Sequence, residues 1–338
     1  MAMTSERRKR VAVVGAGVVG LNLALEVQRR FPDANVAVIA HKFNGETLSD
    51  GAAGLLRPDS YIFGPNREVS QQWVNDSYSF YKNLLNKKDE RCGINEVSGF
   101  MFSSRGPEFV KNHYLENCIS DYRDATHEEL QAHYSPDNNV LTKYGIFYTS
   151  MVIECKRFLP WALKKISDSG GIIIKRRIES LEELYGEYDV IFNCTGFEAK
   201  QLCSDVNVIP IRGQVIRVKA PWIKNFYYYD SDTYIIPSKD DGTVVLGGCR
   251  HFGSYEESVN ERNTEEILEK CVNLIPSLKN ALKMDYEIWV GLRPYRNKIR
   301  IEMEQINNTV IVHNYGHGGY GVTLAPGTAK YAVDLLTP

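Results

Sequence analysis

The sequence predicts an α/β fold in which a Rossmann-like, parallel-sheet domain is interleaved with a second domain built on a mixed sheet. Three observations predict it. Residues 10–40 read as strand, glycine turn, helix and strand. Residues 207–250 carry closely spaced strand-like runs suited to antiparallel pairing. Parallel-type segments recur around 150–200 and near the C-terminus, so one chain passes between the two domains more than once. The expected boundaries are 1–57, 149–205 and 301–338 for the first domain, and 58–148 and 206–300 for the second.

RVAVVG at 10–15 is a β-branched apolar run, as expected of a strand buried on both faces. LNLALEVQRR then has helix composition, with Leu21, Leu23, Ala24 and Val27 forming one apolar face. Phe31-Pro32-Asp33 stops that helix, and NVAVIA (35–40) is a second buried-type strand. Residues 45–58 are rich in Gly and small side chains, and 68–87 read as a helix with Trp73, Tyr78, Phe80 and Tyr81 on a bulky side. Residues 151–171 read as a helix ending at Gly170-Gly171. GIIIKRRIES and YDVIFNCTG are two further strands, the second leaving through Thr195-Gly196, an exit small enough for a ligand to approach the backbone. VIPIRGQVIRVKAP, TYIIPS and GTVVLGG read as antiparallel strands, 265–278 as a helix, and 308–336 as strand, glycine-rich turn and helix.

Composition narrows the function classes. With 40 Lys+Arg against 42 Asp+Glu, the formal net charge is −2. That lacks the basic excess of a protein that neutralises nucleic-acid phosphates. The apolar run at 11–25 is broken by three glycines, so it reads as strand, turn and helix rather than as a signal peptide or membrane span. The seven cysteines are scattered without a Cys-x-x-Cys pair, which fits reduced thiols and predicts no metal site.

Gly15, Gly17 and Gly20 match G-x-G-x-x-G in the context that motif needs, after a strand and opening a helix. Gly15 permits the tight turn, Gly17 lets the backbone approach a pyrophosphate, and Gly20 allows close helix–strand packing. The helix N-terminus offers unpaired N–H groups and partial positive charge to the phosphates. The acidic residue expected after the second strand is missing, and His41-Lys42 stand there instead. A neutral His41 hydrogen-bonds a ribose hydroxyl; alternatively, basic residues here suit the 2′-phosphate of NADP, or they form a solvated strand end.

The stretches VAVVGAGVVGL (11–21), LSDGAAGL (48–55), FLPW (158–161), NCTG (193–196), RGQV (212–215), TYIIP (233–237), LGGCR (246–250), VGLRPYRNKIRIE (290–302) and NYGHGGYGVT (314–323) carry a resemblance. Together and in this order they resemble the D-amino-acid oxidases, and among them the D-aspartate oxidases. The resemblance implies an FAD-binding domain of glutathione-reductase type interleaved with a mixed-sheet substrate domain. It implies oxidation of a D-amino acid by hydride transfer from Cα to flavin N5, giving an imino acid that hydrolyses to a 2-oxo acid and ammonia while oxygen becomes hydrogen peroxide. Implied cofactor contacts are Gly15, Gly17, Val18, Val19 and Gly20 at the fingerprint, and His41, Lys42 and Ser49 beyond it. Ala53, Gly54 and Leu55 match residues packed along one flavin edge. Ile178, Thr195 and Gly196 follow two parallel strands, and Gly318, Gly321, Val322 and Thr323 lie at a second helix N-terminus.

On the substrate side the resemblance assigns the α-carboxylate to Arg300 and Tyr234, with Gly319 leaving room beside the flavin. Arg250 follows the paired glycines, where relatives acting on acidic substrates keep arginine. Arg suits both roles because its fork binds a carboxylate bidentately. Tyr228 belongs to a Tyr227–Tyr229 run where a lid is expected. Arg57 departs from the family pattern; it is a further cation for a distal carboxylate suited to D-glutamate, or it pairs with Asp59, or it lies in solvent. The expected substrates are acidic D-amino acids, D-aspartate and D-glutamate. The alternatives are neutral D-amino acids, for which the glycine loop GHGGYG speaks, an NADP-dependent dehydrogenase, and an inactive flavoprotein serving as a binding module. Expected partners are the substrate and molecular oxygen, with neither nucleic acid nor membrane and with a homo-oligomer left open. The C-terminus shows no S-K-L-type signal, so a cytoplasmic location is expected, or a peroxisomal one by family habit if a tail is missing.

Overall fold

A computed structural model describes residues 8–60, 64–138, 140–230, 232–239 and 241–337. The first seven residues and Pro338 of the first expected domain lie outside the described residues. The strands are β1 (Arg10–Val14), β2 (Asn35–Ala40), β3 (Ile94–Ser103), β4 (Arg123–Asp124), β5 (Tyr144–Ile153), β6 (Ile172–Lys175) and β7 (Val190–Asn193). There follow β8 (Ile209–Lys219), β9 (Phe226–Tyr229), β10 (Thr233–Pro237), β11 (Thr243–Gly247), β12 (His251–Phe252), β13 (Glu287–Ile306) and β14 (Thr309–His317). They form one sheet in the order β4-β5-β3-β9-β10-β11-β8-β13-β14-β7-β1-β2-β6, with β12 attached to β8.

The end of the sheet from β14 to β6 is parallel. In β1, Val11 and Val13 join a core shared with Leu21, Leu23 and Phe158, while Ala12 and Val14 face a second core with Ile39, Leu184 and Ile311. Both faces are covered, which is why β1 and β2 read as unbroken apolar runs rather than as alternation. The helices Val18–Arg30 and Cys155–Asp168 build the first face together with the C-terminal helix Gly321–Asp334. β8 through β13 pair antiparallel, as the sequence predicts for 207–250.

One strand carries the sheet from one half to the other. β13 pairs through Glu287–Tyr295 with β8 and through Arg300–Ile306 with β14, and its register breaks between Tyr295 and Arg300. Two sequence expectations need correction. Residues 151–153 belong to β5, whose ladder with β3 runs unbroken to Ile153, and the helix begins at Cys155. A short apolar run such as MVI fits either a strand or a buried helix turn, so tertiary pairing decides it. The helix expected over 265–278 spans Glu261–Leu274; Pro276, which has no N–H to donate, opens a 3-10 segment instead.

Candidate active site

A cavity of about 1310 Å³ opens at the carboxyl ends of β1, β2 and β7 and runs to the sheet face of β8, β10 and β13. It exceeds the usual ~300–1,000 Å³ of a small-ligand pocket, so it has room for a dinucleotide and a substrate together. At its first end, Gly15 holds φ at +111°, and a β-carbon there would collide with the carbonyl of Cys194. A β-carbon on Gly20 would strike the carbonyl of Gly15, so Gly20 sits behind the wall and serves packing, as expected of the third fingerprint glycine. Gly17 is the N-cap of the helix and supplies no side-chain cap, and the Val18 N–H donates to Ser49 Oγ at 3.0 Å. Gly15, Gly17, Val18, Val19 and Ser49 therefore bring the helix N-terminus to the cavity wall, with Ser49 taking its first N–H.

His41 and Lys42 follow β2, Ile178 follows β6, and Thr195 and Gly196 follow β7, all on the cavity wall. Glu198, to which the sequence drew no attention, joins them, with its carboxylate 3.4 Å from His41 Nε2.

The middle of the cavity is lined by Ala53, Gly54 and Leu55 on one side and by Gly318, Gly321, Val322 and Thr323 on the other. Gly54 has φ +80°, and its carbonyl accepts from the Ile153 N–H at 2.9 Å, which pins this loop to the end of β5. The Arg57 N–H donates to Thr323 Oγ1 at 3.2 Å, tying the two walls together. The C-terminal helix also starts without a side-chain cap. On β14, the Asn314 amide is fully buried on the cavity wall, and neither its oxygen nor its nitrogen has a protein partner. Such a pair of orphans in a native interior calls for a ligand or an ordered water.

At the far end, Tyr234 lies over Gly247 and Gly248, where any β-carbon would meet its ring. It stacks on Tyr228 with centroids 5.3 Å apart. Burial pushes the Tyr234 hydroxyl up to about 12, against the opposing pull of Arg293, so it remains a neutral donor. The Arg293 guanidinium covers Gly213, and Nη1 donates to the Cys249 carbonyl at 3.2 Å. A β-carbon on Gly319 would lie 3.5 Å from Arg293 Cδ, which places Gly319 directly across from this arginine. Arg250 Nε is 3.3 Å from Asp232. Arg57 lies over the Tyr228 ring at 4.5 Å. Among the described residues no carboxylate forms an ion pair with Arg57, and Asp59 instead accepts a hydrogen bond from the Tyr320 hydroxyl.

The assignment to Arg300 is corrected. Arg300 lies outside the cavity wall, with its guanidinium held by Glu302 and, at 2.7 Å, by the Tyr315 hydroxyl, which in turn donates to Asp205 at 2.9 Å. From β13 the arginines on the cavity wall are Arg293 and Arg296, and the one that lies across from Gly319 is Arg293, seven residues before Arg300. Arg293, Arg296 and Arg300 lie in the same matched stretch, so the motif alone did not choose among them. Tyr234, Arg250, Gly319, Arg57 and Tyr228 all lie on the cavity wall.

These residues fit FAD. Two helix N-termini whose N-cap residues supply no side-chain cap, glycines where side chains would block a flat ring or a pyrophosphate, and a buried unpaired amide lie along one long cavity. A family model described as "FAD dependent oxidoreductase" (DAO) matches residues 10–335. The chain is 36% identical over 335 residues to the D-aspartate oxidase of Homo sapiens, covering 97% of this chain and 94% of that protein. It is 32% identical to a D-amino acid oxidase of Dugesia ryukyuensis, with 97% of each covered. The fold matches the crystal structure of glycine oxidase from Geobacillus kaustophilus with a TM-score of 0.78 at 18% identity, over 97% of this chain and 95% of that one. The NADP alternative raised by the glycine fingerprint is thereby set aside, and the chain belongs to the DAO family of FAD-dependent oxidoreductases.

Proposed function

We propose that the protein oxidises acidic D-amino acids, D-aspartate and D-glutamate, to the 2-oxo acid, ammonia and hydrogen peroxide. The observation that carries this reading is that Arg57, Arg250 and Arg293 line one cavity with Tyr228, Tyr234 and Tyr320. Arg293 and the Tyr234 hydroxyl hold the α-carboxylate, Arg293 through its two-pronged fork. Arg250 and Arg57 receive the distal carboxylate. A neutral side chain would offer Arg57 no carboxylate to pair with, at a cost of about 1–3 kcal/mol. Arg57 comes to this task with an aromatic face beneath it, since Asp59 is engaged by Tyr320.

Bound FAD would supply the acceptor for the hydride leaving the substrate Cα and the route of its two electrons to oxygen. The protein contributes position and field. Gly319 leaves space for the substrate next to Arg293. The helix N-terminus at Gly321, Val322 and Thr323 stabilises negative charge that develops beside it. Burial keeps the Tyr234 hydroxyl protonated, so it serves as a neutral hydrogen-bond donor to the carboxylate.

A panel of D-aspartate, D-glutamate and D-alanine, read as peroxide released by the yellow protein, tests the reading. Turnover of the two acidic substrates with D-alanine far behind is the expected result; a clear preference for D-alanine would refute it. Neutral D-amino acids are the second reading because of the Gly318-Gly319-Tyr320-Gly321 loop.

A further inference from the structure

We propose that Glu198 binds the adenosine ribose of FAD, replacing from β7 the acidic residue that the end of β2 lacks. The inference needs FAD but not the substrate reading. In a dinucleotide-binding βαβ unit, a carboxylate after the second strand accepts hydrogen bonds from the ribose hydroxyls. Here that position holds His41.

The sheet order supplies the substitute. β7, β1 and β2 are adjacent and parallel, so their carboxyl ends lie side by side. His41 leaves β2 on one side of the Gly15 turn. On the other side the chain leaves β7 through Cys194 and Thr195 into a tight turn at Gly196–Glu198, with Gly196 at φ +60°. This turn brings Glu198 Oε1 to 3.4 Å from His41 Nε2, with both residues on the cavity wall. A carboxylate thus stands in front of the residue where one was expected, delivered from a different strand.

The chemistry of the cluster favours a diol over a phosphate. Arg177, following β6, has Nη1 3.6 Å from Glu198 and 3.5 Å from His41, but its Nε donates to Glu179 at 2.6 Å. Two carboxylates therefore accompany the basic residues, which opposes a second phosphate on the ribose. The Glu198 side chain is 41% exposed, so it retains accepting capacity for hydroxyls beyond its contacts with His41 and Arg177. The competing explanation is an ordinary surface ion-pair cluster, which would add little to stability and nothing to cofactor binding.

The test is a cycle on reconstituted apoprotein, read as the FAD dissociation constant by flavin fluorescence quenching. The ligands are FAD and FAD analogues lacking the adenosine 2′- or 3′-hydroxyl. Loss of a hydrogen bond to a charged acceptor should weaken binding by about tenfold or more. E198A is expected to weaken FAD by that factor. At least one deoxy analogue should be weakened equally with the unmodified protein and hardly further with E198A. H41D/E198A, which returns the acid to β2, should recover most of the lost affinity. E198Q keeps the side-chain volume and carries the same comparison should E198A fail to fold. Equal weakening of FAD and both analogues by the Glu198 variants, or no weakening at all, overturns the proposal.

Discussion

Two of the three arginines of one motif show what a single residue's neighbours decide. Arg293 and Arg300 both lie on β13 within VGLRPYRNKIRIE, yet only Arg293 faces the cavity. Seven residues apart, the two already point to opposite faces under period-two alternation, and the register break between Tyr295 and Arg300 lies between them. R293K keeps the charge but loses the fork, and is expected to lower kcat/KM for the acidic substrates by about 100-fold or more. R300A should leave kcat/KM within about threefold. Because it removes the guanidinium that donates to the buried Tyr315 hydroxyl, its effect should appear as a lower melting temperature by circular dichroism. A collapse of turnover in R300A with an unchanged melting point would return the substrate role to Arg300. Arg57 has its own signature. R57Q is expected to reduce the D-glutamate/D-aspartate ratio of kcat/KM by about tenfold, the scale of one charge-assisted contact. R250L should depress both acidic substrates relative to D-alanine. An unchanged ratio in R57Q would place Arg57 outside substrate recognition.

At the level of elements, the fingerprint separates two kinds of glycine that look alike in sequence. A β-carbon on Gly20 would collide with the rigid carbonyl of Gly15, so G20A should damage folding itself, seen as loss of soluble apoprotein. At Gly17 the nearest obstacle to a β-carbon is Ser49 Oγ at 3.1 Å, so G17A should fold and instead weaken FAD, read by fluorescence quenching. Equal folding defects in both variants would contradict this division. The N-terminal unit was legible because its local signals agree: β1, the helix and β2 carry apolar patterns matched to their burial. β3 and the first part of β5 were not read as strands. INEVSGFMFS and YGIFYTS mix small, polar and aromatic residues, and only their mutual pairing makes them a ladder. Glu198 was illegible for a similar reason, since its link to His41 exists only once β7 and β2 flank β1.

For the whole molecule, a formal charge of −2 conceals strong local fields. Three arginines share one cavity end, and the sheet that positions them is continuous through β13 with the sheet that holds the nucleotide end. The interleaved order of segments was visible in the sequence, whereas the single continuous sheet was not, because no local signal shows that β13 is long enough to pair with both β8 and β14. His317 stands at the junction of this sheet with the C-terminal helix. It is 5% exposed, at the end of β14, and its Nε2 lies 3.0 Å from Thr328 Oγ1 in that helix. Burial pulls the imidazole down from 6.5 to about 3, so the folded protein holds it neutral. The unfolded chain binds a proton near pH 6.5 and the folded one does not, so stability from this residue is complete above that pH and declines as pH falls toward 3. Between pH 7.5 and pH 5 the loss amounts to about 2 kcal/mol. H317Q keeps a hydrogen-bonding group for Thr328 but cannot titrate. Its melting temperature should therefore fall less steeply than that of the unmodified protein over the same interval. Parallel slopes for the two proteins in that interval would show that the acid sensitivity of the fold arises elsewhere.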